Sequence, residues 1–218
     1  MKIRSEKLLI NFEGIQMKTI VFDIGRVLVK FDWRTYLQSL FADEEAIAAL
    51  SHAFWEIGLW REMDRGAIPQ EHIYQALIEH SQGYEDQMKL AYDRLGECIG
   101  KMDYAKDWIR ELKECGYRVL YLSNYSDYLI EKNREALSFL ELMDGGIFSC
   151  HVKLLKPDLK IYEALLEKYS LVPSDCLFLD DMPVNILGAK ECGMNGIVFT
   201  TYEETRPKIE TFLERWEA

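Results

Sequence analysis

Four short runs of apolar, β-branched and aromatic residues punctuate the chain, and each ends in polar residues. Thr19, Ile20, Val21 and Phe22 lead into Asp23 and, two residues on, Gly25. A second run, 118–122, ends in Ser123 and Asn124; a third, 176–179, in Asp180 and Asp181; a fourth, 196–199, in Thr200. Apolar runs of this length closed by turn residues predict buried parallel strands. Helices are expected between the later strands. Residues 103–115 place Ala105, Trp108, Ile109 and Leu112 on one stripe before a capping Gly116. Pro157 is expected to open a second helix with Ile161, Leu165 and Leu166 inward, and Pro183 a third that Gly193 closes. A last amphipathic helix, 206–216, turns Ile209, Phe212, Leu213 and Trp216 inward.

Strands alternating with helices predict an α/β fold, a doubly wound parallel sheet, in which ligands bind beyond the carboxyl ends of the strands. All the polar residues just named fall at those ends. The spacing is uneven, because about 95 residues separate the first two strands where a crossover unit needs about 30. Residues 33–102 are rich in Leu, Ala, Glu, Trp and Tyr and predict an inserted helical bundle. The expected division is a core of 17–32 and 103–218 and a helical cap of 33–102, which would lie over the sheet's carboxyl edge as a water-excluding, substrate-selecting lid.

Composition narrows the class. A chain of 218 residues can bury ~72% of its unfolded surface and needs no disulfide or metal staple. With 49% hydrophobic and 29% charged residues, neither a disordered nor a membrane class fits, and no apolar run approaches the roughly 18 residues of a span. The 37 acidic against 26 basic residues, net charge −11, argue against nucleic acid as partner, while a local cluster of donors can still hold one phosphate. The five cysteines form no C-x-x-C pair and the four histidines no zinc-type spacing, so both are read as structural or surface groups. Residues 1–16 lack a secretory pattern and are read either as an added extension or as lying ahead of a true start at Met17; cytoplasm is the expected compartment.

The chemistry sits in four segments: VFDIGRVLV, LSN, KP and FLDDMPVNILGA. Their order and spacing resemble the haloacid dehalogenase-like (HAD) superfamily, and within it the capped phosphatases similar to bacterial α-D-glucose-1-phosphatase. The likeness spans about residues 18–200. A carboxylate at a strand end such as Asp23 can attack phosphorus to give an acyl phosphate; a lone Asp there more commonly caps a turn. Ser123 and Asn124 can offer a hydroxyl, an amide and backbone N–H groups to phosphate oxygens, and Lys156 an ammonium near a helix start. The paired Asp180 and Asp181 repel each other unless a cation or hydrogen bonds offset them, and Mg²⁺ is the natural oxygen-seeking cation.

The resemblance implies a role for each. Asp23 is the nucleophile and Lys156 holds it together with the phosphoryl group. Asp181 ligates Mg²⁺ directly, with Asp23 and the Gly25 carbonyl, while Asp180 orients the shell and Asn185 pins the loop. Phe54, Trp55, Trp60, Asp64 and Arg65 resemble the segment that closes over substrate, although most of these aromatics are expected in the bundle core. The sequence departs from the family at one place. Most of these phosphatases carry a second Asp two residues after the nucleophile, as acid to the leaving group and base to water, and here that residue is Gly25. Since such a group contributes about 10² to 10⁴ in rate, slow turnover or a good leaving group such as an anomeric phosphate is expected. Relatives with D-x-G-N-V share the glycine; Arg26 replaces their Asn and either contacts substrate or points to solvent.

The resulting expectation is a Mg²⁺-dependent phosphatase of a small phosphorylated metabolite, with a sugar phosphate as the expected substrate, acting as a monomer or homodimer without nucleic acid or membrane. A 2-haloacid dehalogenase also uses an Asp nucleophile, but that chemistry needs no cation and leaves the Asp180–Asp181 pair unexplained. A phosphate-binding regulatory protein with weak turnover is the third reading, supported by Gly25.

Overall fold

The computed structural model describes residues 17–217; the expected extension, 1–16, lies outside them. In chain order the elements begin with β1 (Thr19–Phe22), β2 (Val29–Phe31), α1 (Trp33–Leu40), α2 (Glu44–Ser51), α3 (Leu59–Arg65), α4 (Gln70–Glu79), α5 (Glu85–Asp93) and β3 (Ile99–Lys101). They continue with α6 (Ala105–Glu114), β4 (Arg118–Ser123), α7 (Asp127–Lys132), β5 (Gly146–Phe148), α8 (Ser149–Val152), α9 (Leu159–Tyr169), β6 (Cys176–Asp180), α10 (Pro183–Glu191), β7 (Asn195–Val198) and α11 (Tyr202–Glu217).

Five strands form one parallel sheet in the order β5-β4-β1-β6-β7. Alternation along β1 divides the core. Ile20 and Phe22 face α6 and α11, where Phe22 meets Trp108 edge-on at 4.9 Å and Ile209 closes the layer. Val21 faces the other way, with Leu120 and Phe178, onto Ile161, Tyr162 and Leu165 of α9 and Ile186 of α10. Every side chain of β1 is buried, as befits a central strand covered on both faces. The fold is thus a doubly wound α/β sheet.

The expected strands differ from those found only by a residue or so at their ends, and one was missed. β5 is three residues long behind Gly145 and Gly146, too short for a hydrophobic pattern to show. The antiparallel β2–β3 pair, which ties Val29–Phe31 to Ile99–Lys101 at the two ends of the insertion, was also missed. Pro157 does not open α9: the helix starts at Leu159, with the Asp158 side chain accepting from the Lys160 N–H as its cap. Gly116 and Gly193 do close their helices with positive φ, 91° and 83°.

Between β2 and β3 the chain is helical. α1 and α2 are capped by Asp32 and Asp43, and a π-helical turn over His52–Glu56 carries Trp55 inward. Leu50, Phe54, Ile73, Leu77 and Met88 form an apolar centre continuous with the Ile20–Phe22 face of the sheet. No helix among the described residues is long and apolar enough to cross a membrane.

Candidate active site

Parallel β1 and β6 end side by side, so their terminal carboxylates converge. Asp23 follows β1 and is pinned by the Leu179 carbonyl, which accepts its N–H at 2.8 Å, while the Ile24 N–H donates to Asp23 Oδ1 at 2.7 Å. Asp180 ends β6 fully buried. Its Oδ1 accepts from the Met182 N–H at 2.7 Å, its Oδ2 from Lys156 at 2.6 Å, and Asn185 Nδ2 donates to both at 3.0 Å. Asn185 therefore holds the Asp180 carboxylate.

Lys156 stands between the two acids, its ammonium 2.8 Å from Asp23 Oδ1 and 2.6 Å from Asp180 Oδ2. Burial, the largest influence, works against its charge, but the two carboxylates outweigh it and hold its pKa above the ordinary value. Burial also pushes Asp23 up to about 7, with Lys156 opposing and Asp180 adding to the rise. Asp181 is raised by burial and by Asp180, against Arg26 and Lys156. One carboxylate oxygen from each of Asp23, Asp180 and Asp181 lies within 4.8 Å of the others. Three carboxylates against one buried ammonium leave a surplus of negative charge on hard oxygen donors, which suits Mg²⁺. With all its oxygens already engaged, Asp180 suits an orienting position, and the less buried Asp181 a direct one.

Two phosphate-binding expectations change. The Asn124 side chain is committed: its Oδ1 accepts the Lys156 N–H at 2.9 Å and its Nδ2 donates to the Lys156 carbonyl at 3.1 Å. It clamps the lysine backbone while still lining the cavity. Lys156 is placed by this clamp in the loop before α9, not by a helix start. The Ser123 side chain, almost fully buried at the end of β4, lies near Asp23 and works against the rise of its pKa. Arg26 adopts φ 59° and sits across the mouth of the site, Nη1 3.6 Å from Asp181 Oδ2 and its guanidinium over the Phe31 ring.

A cavity of about 400 Å³ opens above Asp23, lined by Gly25, Arg26, Asn124 and Asp181 on the sheet side and by Phe31, Trp33, Trp55, Trp60 and Asp64 opposite. Trp55 and Trp60 stack at 4.6 Å and Trp33 meets Trp55 at 5.5 Å. The expectation that most aromatics of this segment are bundle core holds for Phe54, but Trp55 and Trp60 are pocket wall. Phe31 and Trp33 were missed; their only signal is adjacency to the first loop. Arg65 turns to Glu62, 3.2 Å away, and lines no described part of this cavity. Elsewhere, Cys150 and His151, scattered in sequence from any partner, meet Asp127 Oδ1 at 3.4 and 3.1 Å.

The model of the haloacid dehalogenase-like hydrolases matches residues 17–193. The chain belongs to this family. It is 25% identical over 183 residues to a sesquiterpene phosphatase of Aspergillus oryzae, covering 84% of this chain and 90% of that protein. It is 26% identical over 188 residues to a D-ribitol-5-phosphate phosphatase of Bacteroides thetaiotaomicron, covering 81% and 89%. Among solved structures, a HAD family enzyme of Bacteroides thetaiotaomicron in complex with magnesium and inorganic phosphate superimposes with a TM-score of 0.69 at 19% identity, covering 86% of this chain and 96% of that one. That likeness is one of fold.

Proposed function

We propose that the protein hydrolyses a small phosphate monoester through an aspartyl-phosphate intermediate and that it requires Mg²⁺. The observation that carries this reading is the buried Asp23–Lys156–Asp180 array at the adjoining ends of β1 and β6, with Asp181 beside it. Asp23 attacks phosphorus and releases the alcohol; water then cleaves the acyl phosphate. Lys156 opposes the protonation of Asp23, orients it and faces the charge that gathers on the phosphoryl oxygens. Ser123 offers its hydroxyl beside Asp23, Asn124 holds Lys156, and Arg26 reaches an anionic oxygen from the mouth. Asp23, Asp181 and the Gly25 carbonyl would hold Mg²⁺ with Asp180 behind them, and the cation supplies positive charge against the phosphate oxygens. Residues 33–102 act as the cap, and 17–32 with 103–218 as the catalytic core.

The sesquiterpene and D-ribitol-5-phosphate phosphatases among the relatives and the magnesium and phosphate in the structural neighbour support this reading. A cluster of three carboxylates weighs against haloacid dehalogenation, which needs no cation. For the leaving alcohol, a sugar ring can lay its C–H face on the tryptophans. The Phe31, Trp33, Trp55 and Trp60 wall also favours a second class, apolar alcohols of the isoprenoid kind, in keeping with the sesquiterpene phosphatase relative.

The test is phosphate release from sugar phosphates, isoprenyl monophosphates and 4-nitrophenyl phosphate, with Mg²⁺ or EDTA, comparing wild type with Asp23→Asn. Release that requires both Mg²⁺ and Asp23 is expected. Release unaffected by either change would refute the assignment.

A further inference from the structure

The carboxyl missing at Gly25 leaves a space. A Cβ built there meets nothing within 4 Å, and Gly25 lines a small cavity of about 60 Å³ with Asp64, Asn124 and Tyr125. That volume exceeds the ~10–15 Å³ a single water requires. Asp64 and Tyr125 bring two polar groups to it that the proposed function does not use. Asp64 is buried, with 8% of its surface exposed, and Trp60 lines the same small cavity beside it. The Tyr125 hydroxyl is buried and has no hydrogen-bond partner among the described residues. Asp64 also borders the larger cavity that Asp23 lines.

Asp64 belongs to the insertion, yet the core fixes its position. The Ser149 hydroxyl donates to the Asp64 carbonyl at 2.5 Å and accepts the Tyr125 N–H at 2.9 Å. Two residues on, Gly66 (φ 63°) lets α3 end directly against Cys150, where a Cβ would stand 2.9 Å from the Cys150 Cβ. The Asp64 backbone is thereby anchored, and the residue lines the cavity above Asp23.

We propose that Asp64 is the proton donor and acceptor of the reaction, standing in from α3 for the carboxyl absent at Gly25. This rests on the phosphatase reading. As Asp23 Oδ bonds to phosphorus and the bond from phosphorus to the leaving oxygen breaks, the Asp64 O–H gives its proton to that oxygen and the alcohol departs. Asp64, now a carboxylate, takes a proton from the water that attacks phosphorus. The bond from phosphorus to Asp23 breaks, inorganic phosphate leaves, and Asp64 is an acid again. Tyr125, which lines the small cavity with Asp64 and Gly25, brings a further O–H donor to that space. Burial, opposed by Trp60 and Lys156 and reinforced by Asp23, pushes the Asp64 carboxyl up to about 8, so it carries its proton at neutrality. The other ionisable groups near it are Tyr125, Cys98 and Cys150.

The experiment compares an alkyl phosphate, whose alkoxide needs a proton to leave, with 2,4-dinitrophenyl phosphate, whose phenolate does not, in saturating Mg²⁺. Asp64→Asn is expected to lower kcat/KM for the alkyl ester by about 10² to 10⁴ and for the dinitrophenyl ester by at least ~10-fold less. Because the second step also loses its base, the dinitrophenyl ester should then show a stoichiometric burst of phenol before slow turnover. Adding Gly25→Asp to Asp64→Asn should restore alkyl ester hydrolysis by ~10-fold or more, since the space at Gly25 is open. Should Asp64→Asn not fold, Asp64→Glu, which keeps the acid but moves it, should show the same substrate-dependent loss to a smaller degree. Equal losses on both esters without a burst, or no loss on either, would overturn the proposal. Should wild type release no dinitrophenol, or Asp23→Asn match it, the phosphatase reading itself fails and this proposal falls with it.

Discussion

The Lys156 ammonium lies 2.8 Å from Asp23 Oδ1, with the two side chains only 1% and 11% exposed. A pair this buried gives up its hydration, and removing one member leaves the other charged and unpaired, at a cost of about 3–5 kcal/mol. Here removal of the lysine also strands Asp180. Lys156→Met is therefore expected to abolish phosphate release and, in EDTA, to lower the unfolding free energy by about 3 kcal/mol or more in urea titrations. An unchanged denaturation midpoint would show that the pair is not held as described.

The crowding of Asp23, Asp180 and Asp181 predicts that Mg²⁺ stabilises the folded chain. At about 100-fold excess over its Kd, a ligand that binds only the folded state adds ~2.7 kcal/mol, or about 5–10 °C in Tm for a chain of this size. The shift should appear in thermal melts with Mg²⁺ against EDTA and vanish in Asp181→Asn. A shift that persists in that variant would place the cation elsewhere.

Much of this site is legible in the sequence, because Asp23, Ser123 and Asp180 each terminate an apolar strand and parallel neighbours must bring such ends together. The legibility stops where long-range packing decides. Nothing local distinguishes Trp55 and Trp60, which wall the pocket, from Phe54, which fills the bundle; the π-helical turn that redirects Trp55 has no sequence mark. Asn124 reads as a phosphate donor until the fold places the Lys156 backbone against its amide. Asp64 gains its meaning from Ser149 and Cys150, 85 and 86 residues further along the chain. β5 escapes notice because Gly146–Phe148 offers three residues and no alternation.

The end of α3 shows how closely the insertion is seated. Gly66 combines a left-handed φ of 63° with a space in which a Cβ would lie 2.9 Å from the Cys150 Cβ and 3.0 Å from its Cα. Gly66→Ala must strain the turn and push α3 from α8. A loss of about 1–3 kcal/mol is expected in denaturant titrations. Activity should fall with it, since Asp64 moves with α3. A variant as stable and active as wild type would show that α3 is not clamped at this point.

Asp64 also leaves a thermodynamic trace that can be read without substrate. Its pKa rises from an ordinary 3.8 in the unfolded chain to about 8 when folded, chiefly through burial. Between these values the folded state holds a proton that the unfolded state releases, so stability must fall as pH rises. The contribution is fully present below 3.8 and is lost by the time pH has passed 8. Asn cannot titrate and escapes this loss. In EDTA, the Tm of Asp64→Asn minus that of wild type should therefore grow steadily from about pH 5 to about pH 8 and level off above it. A difference that stays flat across this range would mean that the Asp64 carboxyl is already ionised in the folded protein. It could not then serve as the acid.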